Sequence, residues 1–251
     1  MHASVWAMAR AIEQSERLRR VTHREVVAIR RGTVAEAAAA AREVVASGLN
    51  TKFFLRDGLI LPMEKARSDL LAGSLSLSAF VASSSTAKAA VMALAHELGE
   101  EGCKHRGLVV TATTEQEPHD AGNLLVGAYL IEGGFAVRDV GRHARPDAIL
   151  QIAAKVNADV IALSATMRSS LPELARVIEA VKQRKSRAKV IVGGPACSAD
   201  WARAVGADGY GEDAAEAPKM AKNLMRRSPT QPKRGQRRLP AFRQNRGLGG
   251  R

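Results

Sequence analysis

The chain has 251 residues, 46% of them hydrophobic, enough to bury one or two cores. Two cysteines, Cys103 and Cys197, make no disulfide framework, and no apolar stretch approaches the ~20 residues of a bilayer crossing. The net charge of +13 is lopsided: residues 228–251 hold Lys233, Arg234, Arg237, Arg238, Arg243, Arg246 and Arg251 and no acid, which leaves +6 on the rest. A disulfide scaffold and a membrane protein are therefore not expected. Arg10, Glu13 and Glu16 also interrupt the layout of a secretory leader, so the simplest expectation is a reduced, cytoplasmic protein.

Residues 4–31 read as a basic helix, with Arg17, Arg19, Arg20 and Arg24 on a solvated face. Thr33 followed by Glu36 forms a capping-box pattern for a second helix, which the Ala37–Ala41 run carries to Gly48. Phe54, Leu55, Leu59 and Met63 recur at helical spacing over residues 50–71, with Pro62 a point of kinking or division and Gly73 a stop. Ser78 is the expected cap of a further helix reaching Leu98, before Gly99 and Gly102. Four helical segments on short connections predict a helical bundle.

After Arg106 the pattern changes. Runs rich in valine and isoleucine at 108–113, 135–140, 158–163 and 188–192 alternate with amphipathic stretches at 120–132, 146–156, 171–184 and 198–205. This predicts a parallel sheet with helices on both faces. A short strand near 207–210 and a helix over 214–226 complete a five-stranded, flavodoxin-like α/β unit. The remaining tail, with Pro229, Pro232, Pro240 and four glycines, is expected to be disordered. It reads either as a solvated extension or as a tether to an acidic partner or nucleic acid. Its one aromatic, Phe242, argues against base stacking. Cys103-Lys104-His105 has half the layout of a metal site, but no second pair follows.

The chemistry concentrates at strand ends. Glu117-Pro118-His119-Asp120-Ala121-Gly122 follows the first β-branched run, and Ser164-Ala165-Thr166 ends the third. Gly193-Gly194 ends the fourth. In sheets of this kind ligands bind outside the carboxyl ends of the strands. Taken alone, Glu117-Pro118-His119 is an ordinary polar turn. The spacing makes it more, with 41 residues between Gly122 and Ser164 and 26 between Thr166 and Gly193.

That pattern resembles the cobalamin-binding domain, whose motif is Asp-x-His-x-x-Gly, then Ser-x-Leu, then Gly-Gly. Residues 26–95 in turn resemble the helical cap of methionine synthase and of the small corrinoid proteins of methyltransferase systems. The matching pieces are Gly32, Gly48, Gly58-Leu59, Pro62-Met63 and Gly73-Ser74-Leu75-Ser76-Leu77. The resemblance divides the chain into a basic helix (1–25), a cap domain (26–100), a cobalamin-binding domain (106–226) and the tail (227–251). It implies that His119 is the lower axial ligand of cobalt, with Glu117 on its other ring nitrogen and Ser164 as a further relay. It also implies cofactor contacts by Asp120, Gly122, Thr166, Gly193 and Gly194, and by Leu70 and Phe80 from the cap. No catalytic residue of the chain's own is expected. Two positions depart from the motif: Glu117 stands for aspartate and Thr166 for leucine.

The function implied is a carrier of methylcobalamin or a related corrinoid, passing a methyl group between a substrate-specific and an acceptor methyltransferase. The cap would swing about residues 99–107. The glutamate form also occurs in cobalamin-dependent transcriptional photoreceptors, which makes a sensor acting through a transcription-factor partner the alternative. Those proteins carry a tryptophan and, about ten residues on, a Glu-His pair in the cap, where this chain has Leu70 and Phe80-Val81. Its tryptophans, Trp6 and Trp201, lie elsewhere. A third reading is an interaction module that holds haem or no cofactor. His96 is a conceivable upper ligand, but a surface histidine is the simpler reading.

Overall fold

A computed structural model of the chain describes residues 2–102 and 106–227. The tail from 228 onward and Cys103-Lys104-His105 lie outside the described residues, as does the middle of the expected hinge.

The N-terminal half is a helical bundle. α1 (His2–Arg31) is continuous across residue 25, so no break in the chain separates a basic helix from the bundle. Residues 10–17 of α1 are exposed, and Val21, Ala28 and Ile29 enter the bundle core. α2 (Val34–Ala46) buries Ala37, Ala40, Ala41 and Val44. These small side chains let α2 lie close along α5 (Leu77–Gly102), which contributes Ala87, Ala90 and Leu94 to the same core.

Three local expectations change. The capping box does not form: the Thr33 hydroxyl donates to the Glu36 carboxylate (2.9 Å) and caps no backbone N–H, while the Thr33 N–H that Glu36 would accept donates to the Ala28 carbonyl (3.0 Å). Ser76, not Ser78, caps α5, accepting from the Ala79 N–H at 3.2 Å. The stretch after Asn50 is not one helix. A short α3 (Thr51–Phe53) opens into a π-helical segment (Phe54–Ile60) before α4 (Leu61–Leu71). Pro62 has no N–H to donate and its ring crowds the carbonyl four residues earlier, and the widened turn accommodates it. The same turn buries Phe54, Leu55, Leu59, Ile60 and then Met63.

α5 also departs from the reading of the sequence: over Leu77–Leu98 it is long and apolar enough to cross a membrane by length and composition, with mean hydropathy 1.3. Much of that hydropathy comes from alanines, several of which pack against α2 in the bundle.

The C-terminal half is a five-stranded, all-parallel sheet in the order β2-β1-β3-β4-β5. The strands are β1 (Leu108–Ala112), β2 (Ala136–Asp139), β3 (Val160–Ser164), β4 (Lys189–Gly193) and β5 (Gly209–Gly211). The helices are α6 (Ala121–Glu132), α7 (Pro146–Lys155), α8 (Leu171–Gln183), α9 (Ala199–Val205) and α10 (Ala217–Arg227). This is the flavodoxin-like order expected, and the chain reverses its direction of winding between β1 and β3. β3 is buried along its whole length, which explains its unbroken apolar run.

α6 joins the halves. Leu124, Leu125, Ala128 and Ile131 belong to the bundle core, while Leu130 and Val126 pack on the sheet side. A helix apolar all round is one buried on two faces.

Candidate corrinoid site

The site lies at the carboxyl ends of β1 and β3, where the winding reverses. Thr113 pairs outward to Gly141 and Ala144, and the chain then turns through Glu115–Asp120 into α6. Glu117 is fully buried in this turn and its carboxylate is surrounded by donors. Oε1 accepts from the His119 backbone N–H (3.0 Å) and meets the His119 ring Nδ1 at 2.8 Å. Oε2 accepts from the N–H groups of Thr166 (2.6 Å) and Met167 (3.0 Å). Ser170 Oγ lies 3.1 Å from Oε2 and 3.0 Å from the Gln116 carbonyl, free to donate to either. Burial alone would push the Glu117 carboxyl up. The N–H groups of Met167, Thr166 and His119, with the His119 ring, outweigh it and hold it below the usual carboxylate range.

An ionised Glu117 has only lone pairs to offer, so Nδ1 carries a proton, and the neutral form of the ring has its lone pair at Nε2. The His119 side chain is 52% exposed and lines a cavity of about 520 Å³. Nine of the ten residues expected at the site reach that cavity: His119, Asp120, Gly122, Ser164, Thr166, Gly193, Gly194, Leu70 and Phe80. The tenth, Glu117, lies beneath it.

The expected relay through Ser164 is not formed. No hydrogen bond joins Ser164 to Glu117; Ser164 Oγ instead packs under Gly122, 2.9 Å from where a Cβ would be. The extra methylene of glutamate carries the carboxylate past Ser164 to Ser170, in the 3₁₀ turn (Arg168–Ser170) that precedes α8. The glycines also do more than make room for a ligand. A Cβ on Gly193 would lie 2.7 Å from the Gly211 carbonyl, and one on Gly194 (φ +100°) would lie 2.5 Å from the Ala165 carbonyl. They let the ends of β3, β4 and β5 close up on one another.

The roof of the cavity comes from the bundle. Leu71, Leu77 and Val81 are 77%, 64% and 52% exposed, beside the half-buried Leu70 and Phe80. Such large apolar side chains, gathered at the mouth of a cavity, are suited to a flat apolar ligand. The tryptophan-glutamate-histidine set of the photoreceptor alternative has no counterpart among these roof residues. His96 is exposed on α5 and does not line the cavity. Among the described residues, no three His, Cys, Asp or Glu side chains converge as a metal site. A single imidazole suits a metal that arrives with its other ligands already in a macrocycle.

Sequence reasoning missed several polar residues around the site. Lys88 of α5 meets Asp120 (3.1 Å) and Asp139 (3.3 Å), Arg142 meets Asp120 (3.5 Å), and Tyr129 donates to Glu64 of α4. Burial, with Glu64 next, pushes the Tyr129 phenol up. Cys197, buried nearby, has its thiol pushed up to about 11 by burial and by the charge of Glu117.

Residues 107–219 match the family described as the B12 binding domain. Dimethylamine corrinoid protein 1 of Methanosarcina acetivorans is 33% identical over 193 residues, covering 76% of this chain and 91% of that protein. Dimethylamine corrinoid protein 3 of Methanosarcina mazei is 40% identical over 121 residues, 47% of this chain and 72% of that one. The monomethylamine corrinoid protein of Methanosarcina barkeri superposes with a TM-score of 0.58 at 27% identity, covering 82% of this chain and 99% of its own. The chain belongs to the corrinoid proteins of methyltransferase systems, a helical cap set ahead of a B12-binding domain.

Proposed function

We propose that this chain carries a methyl group on the cobalt of a bound corrinoid, taking it from a substrate-specific methyltransferase and delivering it to an acceptor methyltransferase. The corrinoid, when bound, supplies a metal centre that can take up and give up a methyl group. The observation that carries the reading is the His119 imidazole, anchored at Nδ1 by buried Glu117 and opening at Nε2 into a cavity roofed by exposed apolar side chains.

In this reading His119 would hold the corrinoid's metal through Nε2. Glu117 keeps the Nδ1 proton in place and, as a carboxylate bonded to it, raises the basicity of Nε2. Ser170 and the N–H groups of Thr166 and Met167 keep Glu117 ionised and correctly aimed. The turn after β1 and the turn after β3 are thereby joined, so neither moves without the other. Gly122, Gly193 and Gly194 line the cavity without side chains and would let the cofactor approach the backbone there. Leu70, Phe80 and Val81 would shield the bound cofactor from water on the side of the bundle. Among the described residues no nucleophile has a base and an orienting group around it, and in this reading the choice of substrate belongs to the partners. The chemistry of the dimethylamine relatives' names points to a methylamine as the origin of the methyl group.

Purified chain is titrated in the dark with methylcobalamin and with adenosylcobalamin, followed by absorption spectra and by light scattering before and after illumination. The carrier reading predicts that methylcobalamin binds at least as tightly and that light leaves the oligomeric state unchanged. A clear preference for the adenosyl form, with a light-driven change of assembly, would replace it with the sensor reading.

A further inference from the structure

We infer that Lys88 is a latch that holds the cap closed and ties its position to the turn bearing His119. The purpose of such a latch rests on the carrier reading, in which the cap must move aside, but its geometry does not.

Lys88 sits on α5, in the part of the bundle that faces α6 and β2. Its ammonium lies between two carboxylates of the other half, Asp120 at 3.1 Å and Asp139 at 3.3 Å. All three side chains are less than a fifth exposed. Each aspartate is prepared for it. Asp139 Oδ1 is already filled from its own half, accepting from Thr111 Oγ1 (3.2 Å), Asn123 Nδ2 (2.9 Å) and the Gly141 N–H (3.2 Å). Its Oδ2 is left for Lys88. Asp120 stands at the N-cap position of α6 yet makes no side-chain cap bond; its Oδ2 turns to Lys88 and, at the rim, to Arg142. A cap residue given up in this way costs helix stability, so the carboxylate is placed for another partner.

The arrangement is neutral only when the cap is closed. With the cap displaced, Asp120 and Asp139 would keep Arg142 as their nearby cation and Lys88 would lose both of its carboxylate partners. A partly buried pair loses little strength to salt and breaks as a unit. Asp120 is covalently next to His119, so opening the latch also loosens the residue that positions the imidazole.

The test uses the corrinoid-free full chain, with Cys103 and Cys197 replaced by alanine and nitroxide labels at Ser68→Cys on α4 and Gln151→Cys on α7. Dipolar electron resonance then reads the distance between cap and sheet domain. Parent and Lys88→Arg are expected to give one narrow distribution. Lys88→Met, which keeps the aliphatic stem, is expected to raise the displaced population about tenfold. Asp120→Asn and Asp139→Asn, which leave α5 untouched, shift it the same way by less and serve where Lys88→Met fails to fold. Parent-like distributions in the Asn variants, or in Lys88→Met, overturn the latch. Loss of the carrier reading would show instead as failure to bind corrinoid, with these distances unaffected.

Discussion

Raising the pH should loosen the cap, and Glu25 sets by how much. This residue lies on α1 with no exposed surface, and neither carboxylate oxygen has a hydrogen-bond partner among the described residues. Its neighbour across the interface is the π-helical segment, where a Cβ on Gly58 would sit 3.5 Å from Glu25 Cγ and 3.3 Å from Thr22 Cγ2. Burial raises its carboxyl from 4.5 to about 8. A folded-state value above the unfolded one means the contribution is whole below 4.5 and is lost as pH climbs through about 8. At about 1.4 kcal/mol per unit, the loss amounts to roughly 5 kcal/mol. That is a large share of the 5–15 kcal/mol that typically separates folded from unfolded chains. The assay is urea unfolding followed by circular dichroism at intervals from about pH 5 to pH 9, for the parent and Glu25→Gln. Other titrating groups are common to both chains, so the difference isolates Glu25. It should be small near pH 5 and move in favour of Glu25→Gln as the pH rises. Parallel stability curves across the range would refute the burial argument.

Further predictions concern the site itself. Ser170→Ala removes a hydroxyl from the buried Glu117 carboxylate and should cost about 2 kcal/mol in urea unfolding, whereas Ser164→Ala should cost distinctly less. Glu117 has its folded value lowered, so its contribution is present above the ordinary carboxylate range and is lost as pH falls below it. The acid limb of the stability profile should therefore flatten in Glu117→Gln. Gly194→Ala forces a Cβ against the Ala165 carbonyl at a positive φ and should destabilise by about 3 kcal/mol or more, read as a fall in the thermal midpoint.

The sheet was legible because parallel strands buried on both faces leave continuous apolar runs, and β1, β3 and β4 read directly from Val109-Val110, Val160-Ile161 and Val190-Ile191-Val192. The site was legible because His119 follows β1 while Ser164 and Gly193 close β3 and β4, at spacings that read directly from the sequence. What escaped the sequence was set by contacts between distant residues. Lys88 looked like any charge on a helix until the fold placed Asp120 and Asp139 beside it. Ser170 could not be told from Ser164 without knowing how far the longer glutamate reaches. The one available signal was the substitution of glutamate for aspartate at 117, since an added methylene must change which hydroxyl it meets. The π turn at Phe54–Ile60 escaped for a different reason, because Pro62 announces a disturbance but not whether the helix kinks, stops or widens.

The most direct test of the account is electron resonance of the chain loaded with a cob(II)alamin. The parent is compared with the same chain grown on histidine carrying nitrogen-15 in the ring. If His119 is the lower ligand, the triplet splitting from one nitrogen-14 becomes a doublet on labelling, and His119→Ala abolishes the labelling effect. A triplet that survives the nitrogen-15 histidine would mean that the cofactor's own base still holds the metal, and the role given to His119 would be wrong.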